Sequence, residues 1–263
     1  MNRIEKLFSE KAGDILNVYF TAGFPQKDST ATLLRALSAA GVDLIEVGIP
    51  FSDPLADGPT IQASNQQALE NGMSLALLLA QVREARTEVE TPIILMGYFN
   101  QIMQYGEAKF CQDCAAAGVD GLILPDLPPD IYAAELQTLF EKHGLSMTFL
   151  VTPQTKEARI REIDKLSKGF IYAVSSAATT GGSSGFQAGQ IAYFERLKSM
   201  NLQTPHLIGF GVATHADFAL CSQYSRGAVV GSAYIRALKE ATDLAQATQE
   251  FIAMLRGKNQ PQA

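Results

Sequence analysis

The chain has few cysteines, a deficit of basic residues and no long apolar segment. Its three Cys are an odd number without the spacing of a disulfide framework, which argues against a disulfide-stapled secreted domain and favours a reducing cytoplasm. No apolar run approaches the roughly 18 residues of a membrane-spanning helix, and the start, MNRIEKLFSEK, is polar and amphipathic rather than signal-like. With 21 basic against 27 acidic side chains, the net charge of −6 argues against a surface for nucleic acid or anionic membrane.

What the chain does contain is an ordinary globular composition. Hydrophobic residues make up 47% and charged residues 18%, which excludes intrinsic disorder for most of the chain. A length of 263 residues suits two small domains or one large α/β domain. No Ser/Gly linker or charge run divides the sequence, so we predict a single domain over residues 1–263, with a frayed tail at 257–263.

Eight short apolar runs, most of them bounded by Gly or Pro, predict β-strands. These runs are Ile15–Phe20, Leu44–Gly48, Pro92–Gly97, Gly121–Leu124, Ser146–Val151, Phe170–Ser175, His206–Phe210 and Gly227–Gly231. The stretches between them have helical patterns, among them Ser29–Ala40, Tyr105–Ala117, Ile131–His143, Lys156–Ser167 and Gln187–Ser199. Strands that alternate with helices are parallel and joined by right-handed crossovers. Eight such units predict an α/β fold, a closed (β/α)8 TIM barrel with a short extra N-terminal helix; because the pattern alone does not show closure, an open doubly wound sheet is the alternative.

Glu46 interrupts the apolar second strand. In a barrel the active site lies where the strands end, and by strand alternation Glu46 shares a face with Leu44 and Gly48, while Ile45 and Val47 share the other. If the second face meets the helices, Glu46 points into the barrel, where burial raises the pKa of its carboxyl group and suits it to general acid or base catalysis. The predicted strands contain no Lys or Arg for a structural ion pair, so we favour the catalytic interpretation.

Two aspartates, Asp53 and Asp57, follow in a proline-rich loop. Loops of this length and stiffness are more often functional than plain connections. Either carboxylate is also suited to capping the helix that opens near Thr60, or to an Asx turn. The residues alone leave the choice between these roles, and between the two aspartates, open.

Small residues follow the last three predicted strands. Gly211 follows the seventh strand, and Gly231 and Ser232 follow the eighth and open a helix, whose first N–H groups would bind a phosphate without a Lys. The loop after the sixth strand, ATTGGSSG at 178–185, suits a mobile lid or further phosphate donors. Barrels commonly bind phosphate in this region, so the sequence predicts a phosphate site.

The cysteines and histidines favour structural roles. Cys111 and Cys114 form a CxxC pattern inside a helical stretch, which lacks the other two ligands of a zinc site and indicates one apolar helix face. The three histidines, His143, His206 and His215, fall at helix or strand ends away from the carboxylates of the catalytic end. This placement argues against a metal-dependent barrel and favours helix-terminal roles.

The segment EVGIPFSDPLADGP, at Glu46–Pro59, closely resembles the signature of the tryptophan synthase alpha chain family. The resemblance continues, in the same order along nearly the whole chain, through YFTAGFP (Tyr19–Pro25), MGYFN (Met96–Asn100), LPDLP (Leu124–Pro128), FIYAVS (Phe170–Ser175), GFGV (Gly209–Val212) and VVGSA (Val229–Ala233). It implies a barrel lyase that cleaves indole-3-glycerol phosphate to indole and glyceraldehyde 3-phosphate, a retro-aldol step of tryptophan biosynthesis. It also implies that Glu46 and Asp57 are the catalytic pair, which decides between the two aspartates.

The family's substrate contacts map onto this chain by position in the matching motifs. The implied indole pocket consists of Tyr19, Tyr172 and Phe210, with Asn100 and Asp126 nearby. The implied phosphate contacts are Gly181, Gly211, Gly231 and Ser232, and the lid threonine that positions the catalytic Asp is Thr180. One segment, SSAATTGG at Ser175–Gly182, departs from the family's pattern, because Ser176 replaces an Arg while Ala178 and Thr179 replace a Gly and a Val. The lid and its communication with a partner are therefore where the resemblance is weakest.

The resemblance further implies a partner. An alpha chain of this family passes indole to a beta subunit that carries pyridoxal phosphate, in a cytoplasmic α2β2 heterotetramer, and needs no metal or organic cofactor of its own. Two alternatives stay open. Another phosphate-binding barrel, such as a sugar-phosphate epimerase or isomerase, predicts His or Asp metal ligands at strand ends, which the sequence does not show. A barrel retained mainly as an activator of its partner agrees with the altered lid, but not with the intact Glu46 and Asp57.

Overall fold

The strands of the computed structural model, which describes residues 2–55, 57–175 and 186–258, form one parallel sheet. They are β1 (Ile15–Thr21), β2 (Leu44–Gly48), β3 (Ile93–Met96), β4 (Gly121–Ile123), β5 (Ser146–Thr148), β6 (Leu150–Val151), β7 (Ile171–Val174), β8 (His206–Gly209) and β9 (Gly227–Val230). Their order in the sheet is β5-β4-β3-β2-β1-β9-β8-β7-β6. All eight predicted strands are present, and the fifth is found in two parts.

The sheet closes into a barrel through the interrupted fifth strand. Its two edge strands, β5 and β6, are consecutive in the chain and separated only by Phe149. The first part pairs with β4 and the second with β7, where Leu150 lies opposite Tyr172. The N–H group of Tyr172 also donates to the carbonyl of Phe149 at 2.9 Å. The segment 146–151 thus bonds to both neighbours, which confirms the barrel over the open sheet.

Helices cover the outside of the barrel. They are α1 (Arg3–Glu10), α2 (Ser29–Ala39), α3 (Pro59–Glu70), α4 (Leu75–Ala85), α5 (Phe99–Tyr105), α6 (Glu107–Ala117), α7 (Pro129–Ile131), α8 (Gln137–Lys142), α9 (Glu157–Leu166), α10 (Ala188–Ser199), α11 (His215–Tyr224), α12 (Ser232–Lys239) and α13 (Leu244–Leu255). A π-helical turn, Tyr132–Leu136, joins α7 to α8. The helix predicted from Tyr105 begins at Glu107, because Gly106 has a φ of 89° and separates α5 from α6. Within the described ranges, no helix is long and apolar enough to cross a membrane.

The two faces of each strand contribute to different apolar layers. Ile45 and Val47 of β2 pack in the layer between strands and helices, whereas Leu44 packs inside the barrel. This is the arrangement that strand alternation predicts, and it directs Glu46 inward. The inner layer is completed by residues from other strands, such as Ile94, Ile123, Leu207 and Val229.

The helix α1 closes the barrel at the amino ends of the strands, as a short extra helix. Ile4 and Phe8 belong to the inner apolar layer, and the Phe8 ring stacks on Phe170 at 5.6 Å between centroids. Asn2 caps the helix and donates from its side-chain nitrogen to the Ser146 hydroxyl at 2.6 Å. With this end covered, the carboxyl ends of the strands are the face available to a substrate.

The chain after α13 is described only in part. The N–H groups of Gly257 and Lys258 donate to the carbonyls of Met254 and Ala253 at 3.0 and 2.9 Å. Residues 259–263 of the predicted frayed tail lie outside the described residues.

Candidate active site

Glu46 is a buried carboxyl group inside the barrel. Its exposed fraction is 1%, and its Oε2 accepts a hydrogen bond of 2.8 Å from the side-chain nitrogen of Asn17 on β1. Burial raises the pKa of Glu46 to about 8, the hydrogen bond from Asn17 opposes that rise, and the charge of Asp57 adds to it. The Glu46 carboxyl group is therefore protonated near neutral pH, as a general acid must be.

Asn17 is a site residue that the sequence analysis missed. The predicted strands contain no cationic partner for Glu46, and the structure supplies an amide instead. A signal was present, because Asn17 is a polar residue between Ile15 and Tyr19 on one face of an otherwise apolar strand. The acid that Asn17 meets is decided by the pairing of β1 with β2. In that pairing Asn17 lies opposite Leu44 and Tyr19 lies opposite Glu46, which brings the Asn17 and Glu46 side chains together.

The two aspartates of the loop after β2 have different surroundings. Asp57 is half-buried, and burial raises its pKa to about 6, whereas the Asp53 side chain is exposed. The charge of Asp57 also raises the pKa of Glu46 and of Tyr19, so it lies close enough to influence both. Neither aspartate caps α3, whose N-cap residue is Gly58 without a side-chain hydrogen bond. Of the two, Asp57 is the one that faces the candidate site.

Three aromatic rings line the barrel beside Glu46. The rings of Tyr172 and Phe210 meet edge to face, with centroids 6.2 Å apart, and the Tyr19 hydroxyl is close enough to Tyr172 to influence its pKa. Glycine makes room for both tyrosines, because a Cβ at Gly48 would collide with the Tyr19 hydroxyl and one at Gly209 with the Tyr172 hydroxyl. The result is an apolar wall of the kind that binds a flat aromatic ligand.

A chain of hydroxyl groups connects Tyr19 to α3. The Ser64 hydroxyl donates its only hydrogen to the carbonyl of Ile61 at 2.8 Å, so it accepts from Thr21, which lies 2.7 Å away. Thr21 in turn accepts from the Tyr19 hydroxyl at 3.3 Å. Because the hydrogen of Tyr19 points along this chain, only its oxygen lone pairs are available to the pocket. Burial and the charges of both carboxyl groups raise the pKa of Tyr19, so it stays protonated.

The glycine turns after β8 and β9 lie at the same end of the barrel. Phe210 and Gly211 both have left-handed backbone, with φ of 71° and 82°, and for a phenylalanine this conformation is strained. The Ser175 hydroxyl donates to the Phe210 carbonyl at 2.6 Å and braces the turn. Gly231 is the N-cap residue of α12, and Ser232 is its first residue. The first N–H groups of that helix have no acceptor within it, so they are available to an anion.

Asn100 and Asp126 come together next to the carboxyl ends of β3 and β4. Asp126 is exposed, and its two carboxylate oxygens accept from the N–H group of Phe99 at 2.9 and 3.0 Å. Asn100 is the next residue of α5 and is also exposed. The hydrogen bonds give Asp126 a structural function at the start of α5, and its contact with a substrate stays a prediction.

The remaining predicted contacts, Thr180 and Gly181, lie outside the described residues, as do Ser176, Ala178 and Thr179.

The cysteines and histidines have structural surroundings. Cys111 and Cys114 are buried free thiols in the outer apolar layer, and burial raises the pKa of Cys111 to about 11. His143 is the C-cap residue of α8, and a ring nitrogen of His215 lies 2.8 Å from the carbonyl of Leu255. Burial lowers the pKa of His206 to about 4. The described part of the chain contains no cluster of three or more His, Cys, Asp or Glu side chains suited to a metal ion.

These features together form a site for acid–base chemistry on an aromatic substrate. One carboxyl group holds a proton, a second is ionised, and aromatic rings and an anion-binding helix end lie around them. Pairs of carboxyl groups whose surroundings push their pKa values apart are typical of sites in which one acts as an acid and the other as a base or counter-charge.

Comparison with known proteins gives one consistent result. The family model described as tryptophan synthase alpha chain matches residues 6–261. A tryptophan synthase alpha chain from Parabacteroides distasonis is 52% identical over 256 residues, which cover 97% of this chain and 100% of that protein.

Solved structures agree with the sequence comparison. Tryptophan synthase subunit alpha from Legionella pneumophila superposes with a TM-score of 0.89 at 35% identity, covering 98% of both chains. A chain of the tryptophan synthase complex from Pyrococcus furiosus superposes with a TM-score of 0.83 at 35% identity, covering 92% of this chain and 97% of that one.

Proposed function

Because the chain belongs to the tryptophan synthase alpha chain family, we propose that it is a lyase that cleaves indole-3-glycerol phosphate to indole and glyceraldehyde 3-phosphate. This is a retro-aldol reaction of tryptophan biosynthesis. The observation that supports it most directly is the carboxyl pair in the barrel, in which the pKa of Glu46 is about 8 and that of Asp57 about 6. Between these values Glu46 is protonated while Asp57 is ionised, which is the combination that the reaction requires.

Glu46 handles both proton transfers. The bond to be cleaved joins C3 of the indole ring to the hydroxyl-bearing carbon of the glycerol chain. Glu46 donates its proton to C3, and the carboxylate that remains accepts the proton of the hydroxyl group. The O–H electron pair then forms the C=O bond of the aldehyde, while the electron pair of the broken C–C bond returns to the ring. Glu46 regains its proton, so the step balances without any other reactant.

Asp57 stabilises the charge that develops between these two transfers. Protonation at C3 places positive charge on the ring nitrogen, and an ionised carboxylate that accepts the ring N–H offsets it. The raised but still modest pKa of Asp57 keeps the side chain ionised at neutral pH. Asp53 is exposed, whereas the charge of Asp57 raises the pKa of Glu46, which supports Asp57 as the second catalytic group.

The remaining site residues bind and orient the substrate. We assign the indole ring to the wall formed by Tyr19, Tyr172 and Phe210, next to Asn100 and Asp126, since flat aromatic surfaces pack well against one another. The phosphate is assigned to the N–H groups of Gly211, Gly231 and Ser232, with Gly181, while Thr180 orients Asp57 as the lid threonine. Anchoring the phosphate and the ring at opposite ends fixes the bond between them beside Glu46.

The partner is a tryptophan synthase beta subunit. Three large apolar side chains, Leu55, Met103 and Ile131, are 83%, 57% and 41% exposed. They lie on the segments that follow the neighbouring strands β2, β3 and β4, so they share the face of the barrel that holds the site. Exposed apolar side chains beside a site that releases an apolar product suit a subunit that receives it. We expect an α2β2 assembly in the cytoplasm, with pyridoxal phosphate bound by the beta subunit.

An indole-release assay tests this function. The purified chain is incubated with indole-3-glycerol phosphate, alone and with its beta subunit, and indole and glyceraldehyde 3-phosphate are both measured. We expect equal amounts of the two products, and more of both with the partner. Release of no indole in either case would exclude the proposed function, and release only with the partner would show that turnover depends on the beta subunit.

Substrate binding is measurable separately from turnover. The chain has no Trp, so the fluorescence of an indole-bearing ligand is observed without an indole signal from the protein. A phosphate analogue that lacks the hydroxyl next to the ring binds but does not react, because it has no proton for Glu46 to accept.

A further inference from the structure

Asn17 is the hydrogen-bond partner of the candidate acid–base group. It lies on β1 with an exposed fraction of 0%, and its side-chain nitrogen donates to Oε2 of Glu46 at 2.8 Å. In the described part of the chain, this is the one hydrogen bond made by the Glu46 carboxyl group. Asn17 therefore holds one carboxyl oxygen, and no hydrogen bond from the described residues reaches the other, Oε1.

The carbonyl oxygen of the Asn17 amide destabilises the folded state. Among the described residues, Oδ1 of Asn17 is buried and has no hydrogen-bond partner. An unsatisfied buried acceptor is unfavourable, whereas an apolar residue of the same shape avoids the penalty. Ile15 occupies the same face of β1 two residues earlier and packs in the inner apolar layer. Two apolar residues at positions 17 and 46 would avoid both buried polar groups, so the Asn17–Glu46 pair needs a functional explanation.

We propose that Asn17 is a positioning residue: it holds Oε2 of Glu46 so that Oε1 faces the substrate and exchanges the proton with it. The proposal rests on the function proposed above. A carboxyl group held by one oxygen has one orientation instead of several, and reactions that depend on proton transfer are sensitive to such alignment. Because Asn17 donates, it also favours the ionised form of Glu46, the form that accepts the hydroxyl proton.

The groups that face Glu46 show that Asn17 is the one that favours its ionised form. The titratable groups in its surroundings are Asp57 from the loop after β2, Tyr19 from β1 and Tyr172 from β7. Asp57 raises the pKa of Glu46, as does burial, and none of the three groups is basic. The donor that opposes the rise is Asn17, so its removal leaves burial and the Asp57 charge uncompensated.

Asn17→Leu tests the proposal, since Leu has a similar shape but no donor. We expect kcat to fall about tenfold while KM changes less than about twofold, because alignment is lost and binding is not. The midpoint of the alkaline limb of the pH profile should shift by about one pH unit to higher pH, as expected for losing a hydrogen bond to a charged group. The melting temperature should change little, since the unsatisfied acceptor of Asn17 is removed while Oε2 of Glu46 loses its donor.

Two further variants complete the test. Asn17→Asp keeps size and polarity but replaces the donor by a carboxylate, so it should also lower kcat and move the alkaline limb upward. Thr148→Val is the matched control, because its hydroxyl is buried in β5 and, within the described ranges, has no partner either. It should leave kcat and the pH profile unchanged. Unchanged kcat and an unchanged alkaline limb in Asn17→Leu would overturn the proposal, and so would failure of both Asn17 variants to fold.

A titration without substrate separates this proposal from the proposed function. Carboxyl-labelled Glu is followed by NMR in the wild type and in Asn17→Leu, and the Glu46 signal is assigned by its loss in Glu46→Gln. An upward shift of the Glu46 titration in Asn17→Leu supports the proposal even if the wild type releases no indole. Identical titrations in the two proteins, together with normal indole release, would exclude the role of Asn17 and leave the proposed function intact.

Discussion

Carboxyl groups of similar intrinsic acidity have different protonation states in this site because their burial differs. Glu46 is 1% exposed and its pKa is about 8, while Asp57 is half-buried and its pKa is about 6. Burial penalises the charged form of each in proportion to the water it loses. A single pocket therefore contains an acid and a counter-charge at the same pH.

Glu46→Gln should abolish most of the turnover. The amide has nearly the same shape but neither donates an acidic proton nor accepts one, so kcat should fall at least about a hundredfold. Affinity for the non-reacting indole phosphate analogue, measured by its fluorescence, should be unchanged. Asp53→Asn, in the same region but exposed, is the control and should keep full turnover in the isolated chain. Turnover close to that of the wild type in Glu46→Gln would refute the mechanism.

The rate of the wild type should depend on pH through both carboxyl groups. Asp57 must be ionised and Glu46 protonated, so kcat/KM should rise as pH increases through about 6 and fall as it increases through about 8. Stopped assays across this range in constant ionic strength measure the profile. A profile without an alkaline limb would show that Glu46 does not act as the acid.

The same carboxyl group should lower stability at alkaline pH. The pKa of Glu46 is about 8 in the folded chain, against an ordinary value of 4.5, so the unfolded state loses the proton first and stability falls as pH rises from 4.5 to about 8. Glu46→Gln removes this dependence and should raise the free energy of unfolding by on the order of 2 kcal/mol at the alkaline end of the window. Urea unfolding at both ends of the window measures it, and an equal effect at both ends would contradict the assigned cause.

At the scale of elements, strands and helices contribute in different ways to the site. The strand β2 directs Glu46 inward because side chains alternate, and α3 anchors the Tyr19 hydroxyl through Thr21 and Ser64. The helix α12 presents its first N–H groups at the end of β9. The helix α1 has no part in the chemistry and closes the opposite end of the barrel.

The contribution of α1 is testable by truncating its buried side chain. Ile4 is fully buried, so Ile4→Ala should lower the free energy of unfolding by about 2–5 kcal/mol, as large-to-small core changes do. Lys6→Ala on the same helix is the control, because the Lys6 side chain is 65% exposed and surface changes are usually within about 0.5 kcal/mol. Equal effects of the two substitutions in chemical denaturation would show that α1 does not close the barrel.

Element prediction from the sequence was accurate where local rules apply. The second strand, Leu44–Gly48, has the predicted bounds, because it begins after the polar Asp43 and Pro50 follows shortly after its end. The helix predicted at Tyr105–Ala117 was wrong at its start, since Gly106 separates two helices at a positive φ. The fifth strand is interrupted at Phe149, where pairing changes from one neighbour to the other. Gly106 was a local signal for the first feature, because glycine commonly ends helices, whereas the interruption at Phe149 has none.

At the scale of the whole molecule, an acidic protein is proposed to bind an anionic substrate. The net charge is −6, which opposes the approach of a phosphate over long distances but does not decide its binding. Backbone N–H groups at Gly211, Gly231 and Ser232 supply local positive potential without a basic side chain. Local dipoles outweigh the net charge, because salt screens charges separated by more than about 8 Å at physiological ionic strength.

Introducing a charged side chain tests the proposed partner surface. Met103→Asp should weaken association with the beta subunit at least about tenfold, because a charge would have to be buried in an apolar contact. Met254→Asp is the control: Met254 is also exposed, but it lies near the end of α13, where the C-cap residue Arg256 donates to the carbonyl of Asp14 before β1, at the opposite end of the barrel. Titration calorimetry measures both affinities. Equal weakening by the two substitutions would contradict the assigned surface.

The sequence by itself determined the strand–helix alternation, the inward direction of Glu46 and the glycine turns after the last strands, because each follows from spacing of a few residues. Resemblance to a family was needed to predict Asp57, rather than Asp53, as the partner of Glu46. Only the tertiary structure decided that the barrel closes through Phe149, that Asn17 meets Glu46 across 29 positions of sequence, and how far each carboxyl pKa rises. Closure, contact and desolvation depend on which distant segments surround a residue, and no local pattern contains that information.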